Sequence, residues 1–213
     1  MIDRLLPPCV SAVAVRGDIP DAMLFPEELV LLERAAEARR AEFATARHCA
    51  RQALRRIAVA DAPIVRGPKR EPMWPAGVVG SITHCTGYRA AAVARASEML
   101  TIGIDAEPHA ALPKGVDRRV LDDEERAWIA QASAGTHWDR LVFSAKESVY
   151  KAWFPLAQGW LGFDEATIAI DPVAGTFHAH LLIDPPNGVP AAFDGRYLID
   201  DGLVVTAIAV PLL

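Results

Sequence analysis

FSAKESVYKAW, at residues 143–153, reads as helix, with no Gly or Pro until Pro155. Glu147 and Lys151 stand four residues apart, one turn along a single face. Leu141, Val142, Phe143, Val149 and Trp153 supply apolar surface for packing. A carboxylate and an ammonium so spaced usually form only a solvated ion pair, contributing about 0.3–0.5 kcal/mol. A second acidic pair lies upstream, in GIDAEP at 103–108. The helix gains a further meaning if the two segments share one site.

Asp105 and Glu107 are two apart on an expected strand, so period-two alternation points both carboxylates to one side. Seen alone, such a pair is most simply two exposed charges at a strand end. If Glu147 faces the same point, three carboxylates converge. Hard oxygen ligands suit Mg²⁺, which keeps several waters and binds substrate phosphates. The absence of imidazole and thiolate from the trio argues against zinc. Arg47, Arg55, Lys69, Arg70, Lys146 and Lys151 could then neutralise a multiply phosphorylated ligand beside the metal.

Working outward, the chain has 213 residues, 52% hydrophobic and 23% charged, enough for one core or two small lobes. A net charge of -5 disfavours non-specific nucleic-acid binding. Cys9, Cys49 and Cys85 form no CxxC pair, which fits reduced thiols in a cytoplasmic protein. MIDRLLPPC lacks the apolar run of a signal peptide, and GLVVTAIAVPLL is too short to span a bilayer, so no membrane contact is expected.

Residues 9–15 read as a first strand, and Pro26 opens a helical pattern running to about Val59, expected to break near Ala41. Arg47, Arg51 and Arg55 form a stripe at steps of four, which by itself suits a solvated face. The four prolines of 61–77 mark a structured loop that Trp74 anchors. Strands at 78–85, 88–94 and 99–107 suggest an antiparallel meander. A helix at 121–132, a helix at 137–154 with Thr136 as its cap, and strands at 166–170, 176–183, 191–199 and 203–210 follow. Helices thus lead into a meander twice, with the boundary in the proline-rich 108–115.

Ser81 and His84 lie three apart on a strand and point to opposite faces, and GxSxG, Walker A and GxGxxG sequences are absent. A serine-hydrolase or standard nucleotide-fold reading is therefore unsupported. His84 alone is more simply a packed histidine than a catalyst.

GIDAEP followed by FSAKESVYKAW resembles the paired signature of the 4′-phosphopantetheinyl transferases, roughly G-[IV]-D-x-E and then F-[ST]-x-K-E-[SA]-x-x-K. REPMWPAG (70–77) and GSITHC (80–85) resemble preceding motifs of the surfactin- and enterobactin-synthetase class, in its actinobacterial branch. The resemblance covers about residues 47–160. It implies an α+β fold of two similar lobes, a pseudo-dimer, each with helices packed on a small antiparallel sheet and the active site between them. The lobes would be 1–108, on the coenzyme A side, and 109–213, carrying the catalytic helix. The chain would be a monomer that moves the phosphopantetheine arm of coenzyme A onto a serine of apo acyl or peptidyl carrier proteins, releasing 3′,5′-ADP.

The same resemblance implies roles for single residues. Asp105, Glu107 and Glu147 match ligands for Mg²⁺, with Mn²⁺ as the alternative ion. Glu147 would also take the serine proton, and Lys151 would serve the diphosphate and leaving group. Lys146 resembles a phosphate-contacting neighbour. Arg47, Arg55, Lys69, Arg70 and His84 would hold the coenzyme's phosphates, and Ser81 would lie near its adenine and ribose. Ala106 stands where a larger aliphatic is common in the family. Two other function classes compete: a non-catalytic module that binds carriers or coenzyme A, and a Mg²⁺-dependent diphosphate hydrolase.

Overall fold

Valine-rich alternation forms β1 (Ser11–Arg16), which pairs antiparallel with β3 (Tyr88–Arg95); β3 pairs in turn with β2 (Val78–Cys85). The computed structural model that gives this arrangement describes residues 1–212. The central strand β3 carries the alanine run Ala90–Ala92, fully buried. Small side chains there let a long helix lie close, and that helix is α2 (Glu37–Arg56), whose Cys49, Ala50, Ala53 and Leu54 pack on Ala91 and Val93. Before it comes α1 (Pro26–Leu29), a single turn with Pro26 at its first position, and then a 3₁₀ turn at Val30–Leu32. The expected break near Ala41 therefore falls earlier, at residues 33–36. Ala41 sits inside α2, where alanine is a strong helix former.

The expected meander is corrected at its third strand. β4 (Met99–Pro108) does not pair with its predecessor. It is the edge strand of a second antiparallel sheet ordered β4-β8-β7-β6-β5, where β5 is Ala166–Asp171, β6 Thr176–Leu181, β7 Ala192–Asp200 and β8 Leu203–Pro211. β4 pairs along its length with β8, with Asp105 opposite Thr206. It lies beside β2 through side chains instead. Ser81 Oγ accepts the Ile104 N–H at 3.1 Å, and Thr83 Oγ1 accepts the Ala106 N–H at 3.0 Å. Two hydroxyls thus satisfy edge-strand donors that a third β-ladder would otherwise take. The fold is α+β with helices on two antiparallel sheets.

The second sheet carries three helices: α3 (Asp117–Val120), α4 (Asp123–Gln131) and α5 (Trp138–Ala157). Asp122 caps α4, accepting the Glu125 N–H at 2.7 Å while Glu125 accepts the Asp122 N–H. The residue before α5 is His137, without a side-chain cap, in place of the expected Thr136. Pro155 falls in the last turn, and the helix continues past it to Ala157 before Gln158 turns it off in a left-handed conformation.

How closely α5 seats on β4 depends on one glycine. A Cβ on Gly103 would lie 2.0 Å from the Ser148 carbonyl oxygen and 2.8 Å from the Ala152 nitrogen. Thr101 Oγ1 donates to the Ala152 carbonyl at 2.8 Å. Val142, Ala145, Val149, Ala152 and Trp153 bury the other contacts of α5. Among the described residues no helix is long and apolar enough to cross a membrane.

Candidate active site

Asp105 is the buried centre of the site. Its Oδ1 accepts from Thr83 Oγ1 at 3.1 Å and lies 2.7 Å from Lys151 Nζ; its Oδ2 accepts from Ser144 Oγ at 2.9 Å. Strand β2, strand β4 and helix α5 therefore meet on one carboxylate. Lys151 also donates to the Ile104 carbonyl at 3.1 Å. Glu107, two residues on, pairs with Arg140 at 2.9 Å. Burial raises the Glu107 carboxyl to about 7; the charge of Asp105 adds to this and Arg140 opposes it. Burial likewise raises Glu147, with Lys151 opposing and Asp105 reinforcing.

Among the described residues, no three His, Cys, Asp or Glu side chains stand close enough together to hold a metal ion as they are. The donor chemistry fits a hard cation nonetheless. Asp105, Glu107 and Glu147 are all carboxylates, and the field of Asp105 raises the other two, a repulsion that a bound cation relieves. Lys151 and Arg140 supply positive charge to the first two carboxylates.

Beside these groups opens a cleft of about 440 Å³ between α5 and the first lobe. Glu147, Tyr150, Lys151 and Phe154 form one wall; Lys69, Arg70, Trp74 and Ser81 contribute to the other. Trp74 anchors the loop, donating Nε1–H to the Gly80 carbonyl at 2.9 Å. Ser81 spends its oxygen on the Ile104 amide, so it also fastens β2 to β4.

A smaller pocket of about 120 Å³ adjoins the cleft, sharing Arg70, Pro72 and Ile82 with it. Its cationic lining is Arg39, Arg47, Arg66, Arg70 and His84. Arg47 is buried, donates Nε–H to the Ile64 carbonyl at 2.7 Å and lies over the Phe43 ring, 4.1 Å from its centroid. Burial lowers its guanidinium to about 10; Glu28 opposes, while Arg66, Arg51 and Arg39 add to the fall. Burial also lowers His84; Glu42 opposes, and Arg39, Lys151 and Arg89 reinforce it. Crowded cations around a small cavity make a site for an anion of high charge density.

Two expected members are not brought to these cavities. Arg55 is exposed, ion-paired with Asp61, and lines a separate cavity with His48 and Arg51. Lys146 points away from the cleft into the second lobe. Its Nζ is buried 2.9 Å from Glu125 and donates to the Val120 and Phe163 carbonyls at 2.7 and 2.8 Å. Successive helix residues lie about 100° apart, so Lys146 cannot share the direction of Glu147. Arg39 and Arg66 were missed. Arg39 lies two turns before Arg47 on α2, a spacing of eight that continues the Arg47–Arg55 stripe the other way. A larger cavity, about 850 Å³, is lined chiefly by residues 5–9 and strands of the second sheet and contains none of the expected site residues.

The family described as the 4′-phosphopantetheinyl transferase N-terminal domain matches residues 25–94, and the 4′-phosphopantetheinyl transferase superfamily matches residues 101–195. The seam between the two matches falls in the short connection from β3 to β4, where the chain passes from one sheet to the other. The 4′-phosphopantetheinyl transferase Svp of Streptomyces mobaraensis is 50% identical, over 99% of this chain and 89% of that protein. Npt of Nocardia iowensis is 46% identical over 98% of this chain and 99% of its own. PptT of Mycobacterium tuberculosis is 46% identical over 91% and 89%. With both family matches falling on the two lobes that frame the cleft, and relatives matching nearly end to end, this chain belongs to the 4′-phosphopantetheinyl transferase superfamily.

Proposed function

We propose that this protein transfers the 4′-phosphopantetheine arm of coenzyme A to a serine of an apo acyl or peptidyl carrier protein and releases 3′,5′-ADP. One observation carries the reading: Glu147 and Lys151 line a cleft that opens onto a pocket of four arginines and a histidine. A long substrate with a phosphate monoester near one end and a diphosphate in the middle suits that succession. Residues 1–108 supply the coenzyme A side and 109–213 the catalytic helix, with β4 hydrogen-bonded into the second sheet.

Arg39, Arg47, Arg66, Arg70 and His84 take the 3′-phosphate. Lys69, at the mouth of the cleft, supplements them, and Ser81 lies toward the adenosine. Asp105, Glu107 and Glu147 would hold Mg²⁺, which when bound neutralises charge on the diphosphate oxygens. Glu147, held up by burial, is a carboxylate suited to receive the proton of the attacking serine. Lys151 already donates to Asp105 and to the Ile104 carbonyl, which leaves its third hydrogen for the oxygen of the leaving group. Tyr150 and Phe154 give the cleft an apolar wall that excludes water from the transfer. Both walls of the cleft come from one chain, which suits a monomer, and the free cysteines Cys9, Cys49 and Cys85 suit the cytoplasm.

Intact-mass measurement tests the reading. Incubation with coenzyme A, MgCl₂ and an apo carrier raises the carrier's mass by one phosphopantetheine arm. No shift across several carriers contradicts it, and release of 3′,5′-ADP without any carrier supports the hydrolase reading instead.

A further inference from the structure

Behind the anion pocket stands a carboxylate that does not line it. Glu42, on α2, gathers three cationic or potentially cationic side chains. Its Oε2 accepts from Arg39 Nη1 at 2.5 Å. Its Oε1 lies 3.5 Å from His84 Nδ1 and 3.6 Å from Arg89 Nη2. Arg89 is itself fixed from the other side by Asp18, 2.9 Å away, and donates to the Cys85 and Tyr88 carbonyls, so it anchors Glu42 to β3. The same Arg39 Nη1 lies 2.9 Å from His84 Nε2.

Chemistry assigns the histidine's tautomer from these contacts. A guanidinium only donates, so Nε2 accepts from Arg39 and the ring hydrogen sits on Nδ1, facing Glu42. Arg39 and His84 therefore hold each other, both steered by one carboxylate, at the edge of a pocket lined also by Arg47, Arg66 and Arg70. Without Glu42, His84 loses the partner of Nδ1, and Arg39 loses the carboxylate that opposes its repulsion from Arg47 and Arg66.

We propose that Glu42 is the positioning residue of this pocket: it aims Arg39 and His84 so that the site selects ligands carrying a terminal phosphate monoester. The inference rests on the coenzyme A reading above and adds to it the source of discrimination for the 3′-phosphate. Glu42 does not touch the ligand. It acts through two side chains that do, so its loss falls on the affinity for one phosphate and not on the cleft as a whole.

Calorimetric titration of wild type, Glu42→Gln and Glu42→Asp with coenzyme A and with 3′-dephospho-coenzyme A decides the matter. Wild type binds coenzyme A more tightly than the dephospho form. Glu42→Gln weakens coenzyme A roughly tenfold, the scale of one charge-assisted hydrogen bond, and leaves the dephospho form within about twofold. Glu42→Asp restores the charge on a shorter arm and recovers part of the selectivity. In steady-state transfer the Glu42→Gln loss appears in KM for coenzyme A more than in kcat. Equal weakening of both ligands by Glu42→Gln, or wild-type selectivity in that variant, overturns the positioning role while leaving the transferase reading in place. A wild type that binds neither ligand removes the transferase reading itself.

Discussion

Lys151 Nζ lies 2.7 Å from Asp105 Oδ1, so an ammonium on α5 is committed to a carboxylate on β4. Spacing alone pairs Lys151 with Glu147, one turn away, but among the described residues no ion pair joins those two. The difference has a physical origin. Asp105 is buried at the meeting of three elements and needs a counter-charge, whereas Glu147 faces the cleft. Lys151 thereby ties the helix to the strand and leaves Glu147 available.

Replacing Lys151 with Ala removes a donor from the place where the leaving group gains charge. We expect kcat to fall by roughly 100-fold or more at a temperature where the variant is folded, and unfolding temperature to fall as well, because Asp105 keeps Thr83 and Ser144 but loses its counter-charge. Steady-state kinetics and a thermal melt check both halves. An undiminished kcat removes the leaving-group role.

Lys146 should affect stability alone. It pairs with Glu125 where both side chains are almost wholly buried, and burial already raises the Glu125 carboxyl. Lys146→Met strands that carboxylate and costs about 3–5 kcal/mol of stability, measured by urea unfolding. KM for coenzyme A, measured at a temperature where the variant is folded, stays near wild type. A raised KM with normal stability would put Lys146 back in the cleft.

Arg66 and Arg55 separate the two arginine environments. Arg66→Ala opens the anion pocket and raises KM for coenzyme A by roughly tenfold. Arg55→Ala removes an exposed pair with Asp61 and changes KM by less than about twofold. The reverse order would place the 3′-phosphate in the cavity beside His48 and Arg51.

The pH dependence of stability follows from Glu107. Its native carboxyl titrates at about 7, above its ordinary value of 4.5, so the native state binds more protons than the unfolded state between those values. Stability of the metal-free protein therefore falls as pH rises through that window, by at most about 3 kcal/mol from this group. Glu107→Gln lessens the decline, leaving the part that comes from Glu147 and Glu125, which burial also raises. Urea unfolding of both proteins in EDTA from pH 4.5 to 8 checks this, and parallel curves would contradict it.

Gly103→Ala tests how closely the helix is seated. The added methyl meets the Ser148 carbonyl at 2.0 Å, so α5 must shift. We expect a loss of roughly 1–3 kcal/mol and a fall in activity larger than the stability loss explains, because Glu147 and Lys151 move with the helix. Retention of full activity at a temperature where the variant is folded would contradict this.

The elements that carry the chemistry were legible because their signals are local. FSAKESVYKAW has helical periodicity, GIDAEP alternates as a strand, and the four strands from residue 166 onward fall where β-branched and aromatic residues lie between turn residues. What was not legible depends on contacts between distant segments. The short link between β3 and β4 looks like a hairpin, and only β8, some hundred residues on, offers β4 its ladder. A stripe of arginines at steps of four does not say which end faces a cavity. Arg39 and Arg47 meet the pocket, Arg51 turns to buried Glu28 and Arg55 to Asp61. Lys146 and Lys151 are equally charged in the sequence, and only the packing of α5 directs one to the interior and one to the cleft.

In the proposed reaction Asp105, Glu107 and Glu147 close on one divalent cation beside the diphosphate. A crystal structure with coenzyme A and Mn²⁺, with anomalous data at the manganese edge, tests it most directly. We expect a single strong peak in contact with all three carboxylates and with oxygens of the diphosphate. A peak elsewhere, or diphosphate bound with Lys151 still on Asp105 and no metal between the carboxylates, would contradict it.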